Sequence, residues 1–194
     1  MTDTREKLSS TSIGLHWVIG IAMICMVLFG LYIAGLHCGD GDTACKSSKG
    51  DLTALHKSFG ILILVFASWR FLRRLLIGML APVGDYASWE RILSKVVAWF
   101  LLLTTLALPL SGIVMTIAAA KPIAVFGVQV VPQFLAERDK ALGGIAHQTH
   151  EWLGWALLAA VTLHILGALK HHVIDRDATL KRMLGARVDP VQQA

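Results

Sequence analysis

The sequence predicts an all-α integral membrane protein, a four-helix bundle with both termini cytoplasmic. Three observations predict it: four apolar segments of near-spanning length, an uneven distribution of Lys and Arg around them, and histidines set within the apolar runs. Crossing the hydrocarbon core takes about 20 residues of helix. Only 16% of the 194 residues are charged and 55% are hydrophobic, whereas a soluble domain is nearer a quarter charged. The apolar excess is gathered into the four segments.

The first span covers about residues 13–36 and holds no Asp, Glu, Lys or Arg. It is far longer than the roughly 7–15 apolar residues of a signal peptide, so it reads as an uncleaved helix. The second covers about 52–74 and runs into Arg70, Arg73 and Arg74. The third, about 92–119, is interrupted by Lys95 near its start, and Pro109 followed by Gly112 predicts a kink that neighbouring helices tolerate. The fourth, about 147–172, ends in Lys170-His171-His172. Residues 1–185 form one expected domain and 186–194 a cytoplasmic tail. Pro82 and Gly84 mark the turn between the second and third spans. The longest loop, about 121–144, is mixed rather than polar, and is expected to fold against the external mouth of the bundle.

Orientation follows from the basic residues. With four spans, Arg5, Lys7, Arg70, Arg73, Arg74, Arg91, Lys95, Lys170, Arg176, Lys181, Arg182 and Arg187 share one side. Lys46, Lys49, Lys57, Lys121, Arg138 and Lys140 share the other, and twelve against six puts both termini in the cytoplasm. The net charge of +5 thus reads as membrane topology. No stripe of basic and aromatic residues suits a nucleic acid.

Ionisable residues within spans are costly and are functional candidates by default. His16 opens the first span, His56 the second, and the fourth carries His150 and, fourteen residues on, His164. Fourteen residues at 100° each return to within about 40° of the same helix face and rise about 21 Å. His150 and His164 therefore look the same way at two depths. Antiparallel neighbours supply His56 for the first and His16 for the second. Two facing imidazoles at each depth suit two hexacoordinate haems of b type. The absence of any Cys-x-x-Cys-His excludes c-type attachment.

A second pattern accompanies the first. Gly20, Gly60 and Gly154 each follow a histidine by four residues, and Gly167 and Ala168 follow His164. Residues at i and i+4 share a face, so a missing side chain there leaves room for a flat macrocycle. The alternative is that small residues mark helix–helix packing. His147 lies one turn before His150 and competes with it as a ligand, but lacks the fourteen-residue partner. Arg70, Arg73 and Arg74 together stop the second helix and set topology, or one of them, Arg70 favoured by its position nearest the bundle, pairs a haem propionate. His171 either snorkels at the interface or contacts a quinone. Cys38 and Cys45 bracket the first external loop and suit a disulfide in an oxidising compartment. A metal site with His37, Asp40 and Asp42 is the alternative. Cys25 reads as a small hydrophobe.

The segments Gly14-Leu-His16-Trp17, Leu55-His56-Lys57-Ser-Phe-Gly60, His150-Glu-Trp-Leu-Gly154 and Leu163-His164, with Lys121 to Gly127 and the tail from Leu169 to Met183, resemble the bacterial cytochrome b561 family. The resemblance covers nearly the whole chain. It implies two haem b groups, one on His16 and His164 and one on His56 and His150, and electron exchange with the quinone pool. One branch of that family passes electrons from superoxide to ubiquinone, with a histidine at the position of His171 implicated near quinone. The external loop holding Cys38 and Cys45 departs from that branch. The expected function is electron transfer between quinone and an unidentified periplasmic donor or acceptor, with superoxide:ubiquinone oxidoreductase as its enzyme form. Two other classes compete: a haem-bearing anchor subunit of a larger redox complex, and a non-redox metal transporter lined by the same histidines.

Overall fold

The computed structural model describes residues 3, 4, 6–80, 82–84 and 86–188. Arg5 and most of the expected tail 186–194 lie outside the described residues. The chain is mostly helical, with four long helices: α1 Ser10–Gly35, α2 Thr43–Ile77, α3 Ser88–Ala118 and α4 Lys140–Val173. A short α5, Thr179–Met183, follows. Two strands, β1 Ile123–Val125 and β2 Val128–Val131, pair as an antiparallel hairpin between α3 and α4. The hairpin adds seven strand residues to an otherwise helical chain among the described residues.

Each long helix begins where a side chain can satisfy its free backbone amides. Ser9 Oγ accepts from the Ser12 amide ahead of α1. Asp42 accepts from the Cys45 amide ahead of α2, and Asp139 from the Leu142 amide ahead of α4. Before α3, Glu90 reaches back to the Ala87 amide, half of a capping box. These caps set starts several turns ahead of the expected second and fourth spans, because a helix can begin in the aqueous layer and run on into hydrocarbon. Gly78 closes α2 at φ 85°, with its amide on the Arg74 carbonyl. That left-handed turn is cheapest for glycine.

By length and composition α1, α3 and α4 can cross a membrane. α2 carries Lys49, Asp51 and Lys57 toward its start and Arg70, Arg73 and Arg74 toward its end.

The chain divides into two compact units. One comprises residues 1–20, 66–104 and 157–194 and is called the His16 unit. Its interior holds Leu15, Ile19, Ala67, Leu102 and Leu157, together with buried Arg74 and Arg182. The other comprises residues 21–65 and 105–156 and is called the His56 unit. It buries Met23, Val27, Ile63, Leu108, Ala118 and Ile123, with Ser58, Ser111 and Thr116 as buried hydroxyls. In both units large apolar side chains face outward, among them Val18, Leu72, Leu76 and Ile174 in the first and Ile21, Tyr32, Val65 and Ile145 in the second. Apolar exposure on this scale marks a membrane surface.

The hairpin belongs to the His56 unit. Phe126 and Gly127 form its two-residue turn with φ 48° and 84°, the paired positive values that match the twist of the flanking strands. Phe126 donates its amide to Ser58 Oγ at 2.9 Å, and its ring meets Phe59 at 5.3 Å. The mixed loop therefore folds back onto α2.

Candidate cofactor sites

In the His56 unit, α2 and α4 bring the rings of His56 and His150 to a centroid separation of 6.2 Å, inclined at 73°. Two metal–imidazole bonds of about 2 Å each, plus the half-ring on either side, come to a separation of this size. The His150 Nδ1–H donates to the Leu108 carbonyl at 3.0 Å, and Ser111 Oγ lies 2.9 Å from the same nitrogen. A carbonyl can only accept, so the ring proton is on Nδ1 and the Nε2 lone pair is left for a metal. Ligating histidines are commonly held in this way. His56 Nδ1 is buried without a hydrogen-bond partner.

Glycines on the facing helices lie against both rings, closely at His56 and in ordinary contact range at His150. A Cβ on Gly30 of α1 would lie 3.1 Å from His56 Cε1, and one on Gly112 of α3 would lie 3.4 Å from His150 Cε1. Beside the imidazoles is a cavity of about 710 Å³, lined by Gly60, Gly154, Leu108, Ile113 and Trp155 among others. Cofactor pockets run from about 300 to 1,000 Å³. A Cβ on Gly60 or Gly154 would meet nothing within 4 Å. No helix presses on these two glycines, so they border open volume instead of serving helix packing. His147 also lines the cavity.

In the His16 unit, α1 and α4 place His16 and His164 at a centroid separation of 6.0 Å and 62°. His16 is half-buried and His164 exposed. Gly20 and Gly167 again have nothing within 4 Å of a Cβ position. The surroundings differ from those of the other pair. Arg70 Nη2 donates to His16 Nδ1 at 3.2 Å, while Arg70 Nε is buried with no partner. Arg73 donates to Ser9 and Ser12. Arg74 pairs with Asp3 at 2.9 Å. Asp3 also accepts from the Ser9 amide and hydroxyl and from Ser12. Burial raises the Asp3 pKa, but these bonds outweigh it and hold the carboxyl at about 2. α2 ends at Ile77, three residues past Arg74, and Arg70 is paired with no carboxylate among the described residues.

The imidazole pairs match haem by donor type and spacing; the His56 unit adds an adjoining cavity and a free His150 Nε2, whereas a metal on His16 Nε2 requires the Arg70 contact to leave Nδ1, because a neutral imidazole accepts at one nitrogen only. Among the described residues no three or more His, Cys, Asp or Glu gather as a metal site.

The remaining candidates have partners of their own. His171, at the end of α4, bonds Asp175 at 2.8 Å and stacks on Tyr86 at 4.3 Å. Tyr86 donates to Asp177, and burial first, then this carboxylate, pushes its phenol up. Lys170 bridges Glu90 and Asp175. The hydrogen bond from Lys170 holds the Asp175 carboxyl below its usual range. His171 is therefore fixed in a polar cluster and does not snorkel freely. Cys38 and Cys45 are joined by a disulfide, with Cα atoms 5.6 Å apart. Asp42 beside them is engaged as the α2 cap, and His37 bonds the Gly35 carbonyl. Gly30, Ser111 and the Leu108 carbonyl did not stand out in the sequence. The one signal was the run Pro109–Gly112, read as a kink.

Comparison with known proteins gives the family. The family description "prokaryotic cytochrome b561" matches residues 7–186. Cytochrome b561 homolog 2 of Escherichia coli K12 is 35% identical over 184 residues, 95% of this chain and 94% of that protein. Cytochrome b561 homolog 1 of the same organism is 28% identical, covering 94% and 99%. A protein of Yersinia pestis named probable superoxide oxidase CybB is 27% identical, covering 93% and 97%. Two imidazole pairs on long apolar helices and a match over nearly the full length lead to one assignment: the chain belongs to the prokaryotic cytochrome b561 family of membrane electron-transfer proteins, which carry haem b.

Proposed function

We propose that the protein is a di-haem membrane cytochrome linking the quinone pool to a periplasmic donor or acceptor, with His16 and His164 holding one haem b and His56 and His150 the other. The observation that carries this reading is the recurrence, in each unit, of two imidazoles about 6 Å apart beside glycines with open space. When bound, a haem held by two imidazoles would supply one-electron transfer. The chain's own residues prepare for that. His150 is fixed in one tautomer by the Leu108 carbonyl, and Gly30 and Gly112 let both rings of the His56 unit seat without strain. Arg70 supplies a buried cation for a carboxylate, the role suited to a propionate.

The membrane arrangement is four spans in the bacterial inner membrane with both termini cytoplasmic, one domain over residues 1–185. Outward Leu62, Val65, Phe66, Trp69 and Leu72 support α2 as the fourth span, and the twelve-to-six basic count supports the orientation. Quinone is the partner because it is dissolved in the phase these apolar faces contact, and the His171–Tyr86 cluster offers it polar groups. The superoxide oxidase form is supported by the name of the Yersinia relative. Lys57, Lys121, Arg138 and Lys140, on the expected external side, are available to steer an anion.

The test is reduction of the oxidised protein in liposomes by ubiquinol, followed at the b-haem absorption bands. Rapid reduction is expected, as is reduction by superoxide with a salt-dependent rate. Haem that responds to dithionite but to no quinol would remove the quinone link.

A further inference from the structure

In the His56 unit, α2 turns Lys49, Thr53 and Lys57 to the cavity, one helical turn apart. From this ridge we infer that Lys57, helped by Lys49, is the seat for the carboxylates of a haem held by His56 and His150. The inference rests on the two-haem reading above and names the residues that recognise the acidic edge of that group.

Positions i, i+4 and i+8 make one ridge of a helix. Lys57 lies fourteen residues past the first residue of α2, well inside the expected span. A cation at such a place is costly and is a functional candidate by default. Lys57 is half-buried, and among the described residues it makes no hydrogen bond or ion pair. The nearby charge that bears on it is a second lysine, the exposed Lys121. Of the four cations suited to steering an anion, Lys57 alone lines the cavity.

Its neighbours on the ridge are anchored. Lys49 Nζ donates to the Leu36 carbonyl at 2.7 Å, which leaves two of its three N–H groups free. Thr53 donates to the Lys49 carbonyl at 2.7 Å, so its hydroxyl proton is committed and it spaces the two lysines. Glu151 shares the lining but is bonded to neither lysine, and two cations outnumber one carboxylate there. Apart from these residues, His147, the imidazole pair and Thr116, the lining is apolar. Thr116 is turned to the Gly112 carbonyl. Such a cavity suits an apolar body with an acidic edge, the chemistry of haem b. A neutral quinone gains nothing from an uncompensated cation. A lysine serves a carboxylate as a compact point charge on a flexible stem.

The test compares haem with its dimethyl ester, in which both carboxylate charges are cancelled. The full-length His164→Ala chain, carrying only the His56–His150 site, is produced without haem and loaded in detergent with either pigment. The readout is the rate at which pigment passes to excess apomyoglobin, followed at the Soret band, with helix content measured beside it. Haem should leave about tenfold more slowly than the ester, the scale of one charge-assisted bond. Lys57→Met should speed the loss of haem, leave the ester unchanged and so remove most of the difference. Lys57→Arg should restore it, and Lys49→Met should have the smaller effect. Equal rates for haem and ester before any lysine is changed overturn the inference. So does a Lys57→Met chain that loses both pigments faster alike, which would be a packing role. A well-folded His164→Ala chain that takes up neither pigment overturns the two-haem reading itself, as does a chain with His56→Ala added that binds both.

Discussion

The His56 unit and the His16 unit use the same pair of residues and prepare them by different means. Around His56 and His150 the preparation is mainly steric: two glycines beside the rings, a backbone carbonyl on Nδ1, and a cavity of about 710 Å³ adjoining, with Lys57 in its lining. Around His16 and His164 it is ionic, with three arginines, one on the ring, one on serines and one on Asp3. The difference shows that a bis-imidazole site can be specified by space or by charge. The two kinds of site should also fail differently when disturbed.

The largest expected effect is steric. Gly60→Leu directs a side chain into the cavity of the His56 unit, where a Cβ meets no protein atom within 4 Å. The folded chain should tolerate it, yet haem content should fall by about half, with the His16–His164 component intact. Loss of both components together would erase the distinction between the two sites. Haem per chain, measured beside helix content in detergent, gives the answer.

Next in size is the ionic latch. Asp3→Asn removes the charge that pairs with buried Arg74 and weakens acceptance from Ser9 and Ser12. Charge-assisted bonds of this kind are worth about 1.5–3 kcal/mol, so a loss of about 2 kcal/mol is expected in denaturant unfolding. The folded Asp3 pKa is about 2, below the unfolded value of roughly 3.9. Its contribution is therefore fully present above about pH 4 and is lost as the pH falls toward 2. The acid-side slope should flatten in Asp3→Asn; an unchanged slope would remove the latch from the account.

The smallest effect belongs to the hairpin. Ser58→Ala deletes the acceptor for the Phe126 amide, a net loss of about 1 kcal/mol. Hydrogen exchange should quicken at Phe126 and its strand neighbours and stay unaltered in the His16 unit. Faster exchange there as well would mean that the hairpin supports more than its own unit.

Much of this was legible in the sequence, and the parts that were not share a cause. Apolar runs of spanning length announce helices because backbone hydrogen bonds in lipid must close within the segment. The fourteen-residue step from His150 to His164 fixes a common face from helix geometry alone. The mixed character of residues 121–144 was enough to expect a loop folded back, although not the seven strand residues within it. Gly30 and Gly112 stayed hidden because each serves a histidine on another helix, at no fixed interval in the chain. Gly60 and Gly154 were visible because each lies one turn from its own histidine. The cluster of Arg70, Arg73 and Arg74 reads as a helix end because local sequence shows charges after an apolar run. That α2 continues past Arg70, with that side chain turned onto His16, is a tertiary fact.

The most direct test of the central claim is the number of haem b groups per chain in detergent-purified protein, wild type beside His56→Ala and His164→Ala. The account predicts two in the wild type and one in each variant, the survivors differing in their reduced-minus-oxidised spectra. A well-folded wild type with a single haem or none, or a variant that keeps both, would contradict it.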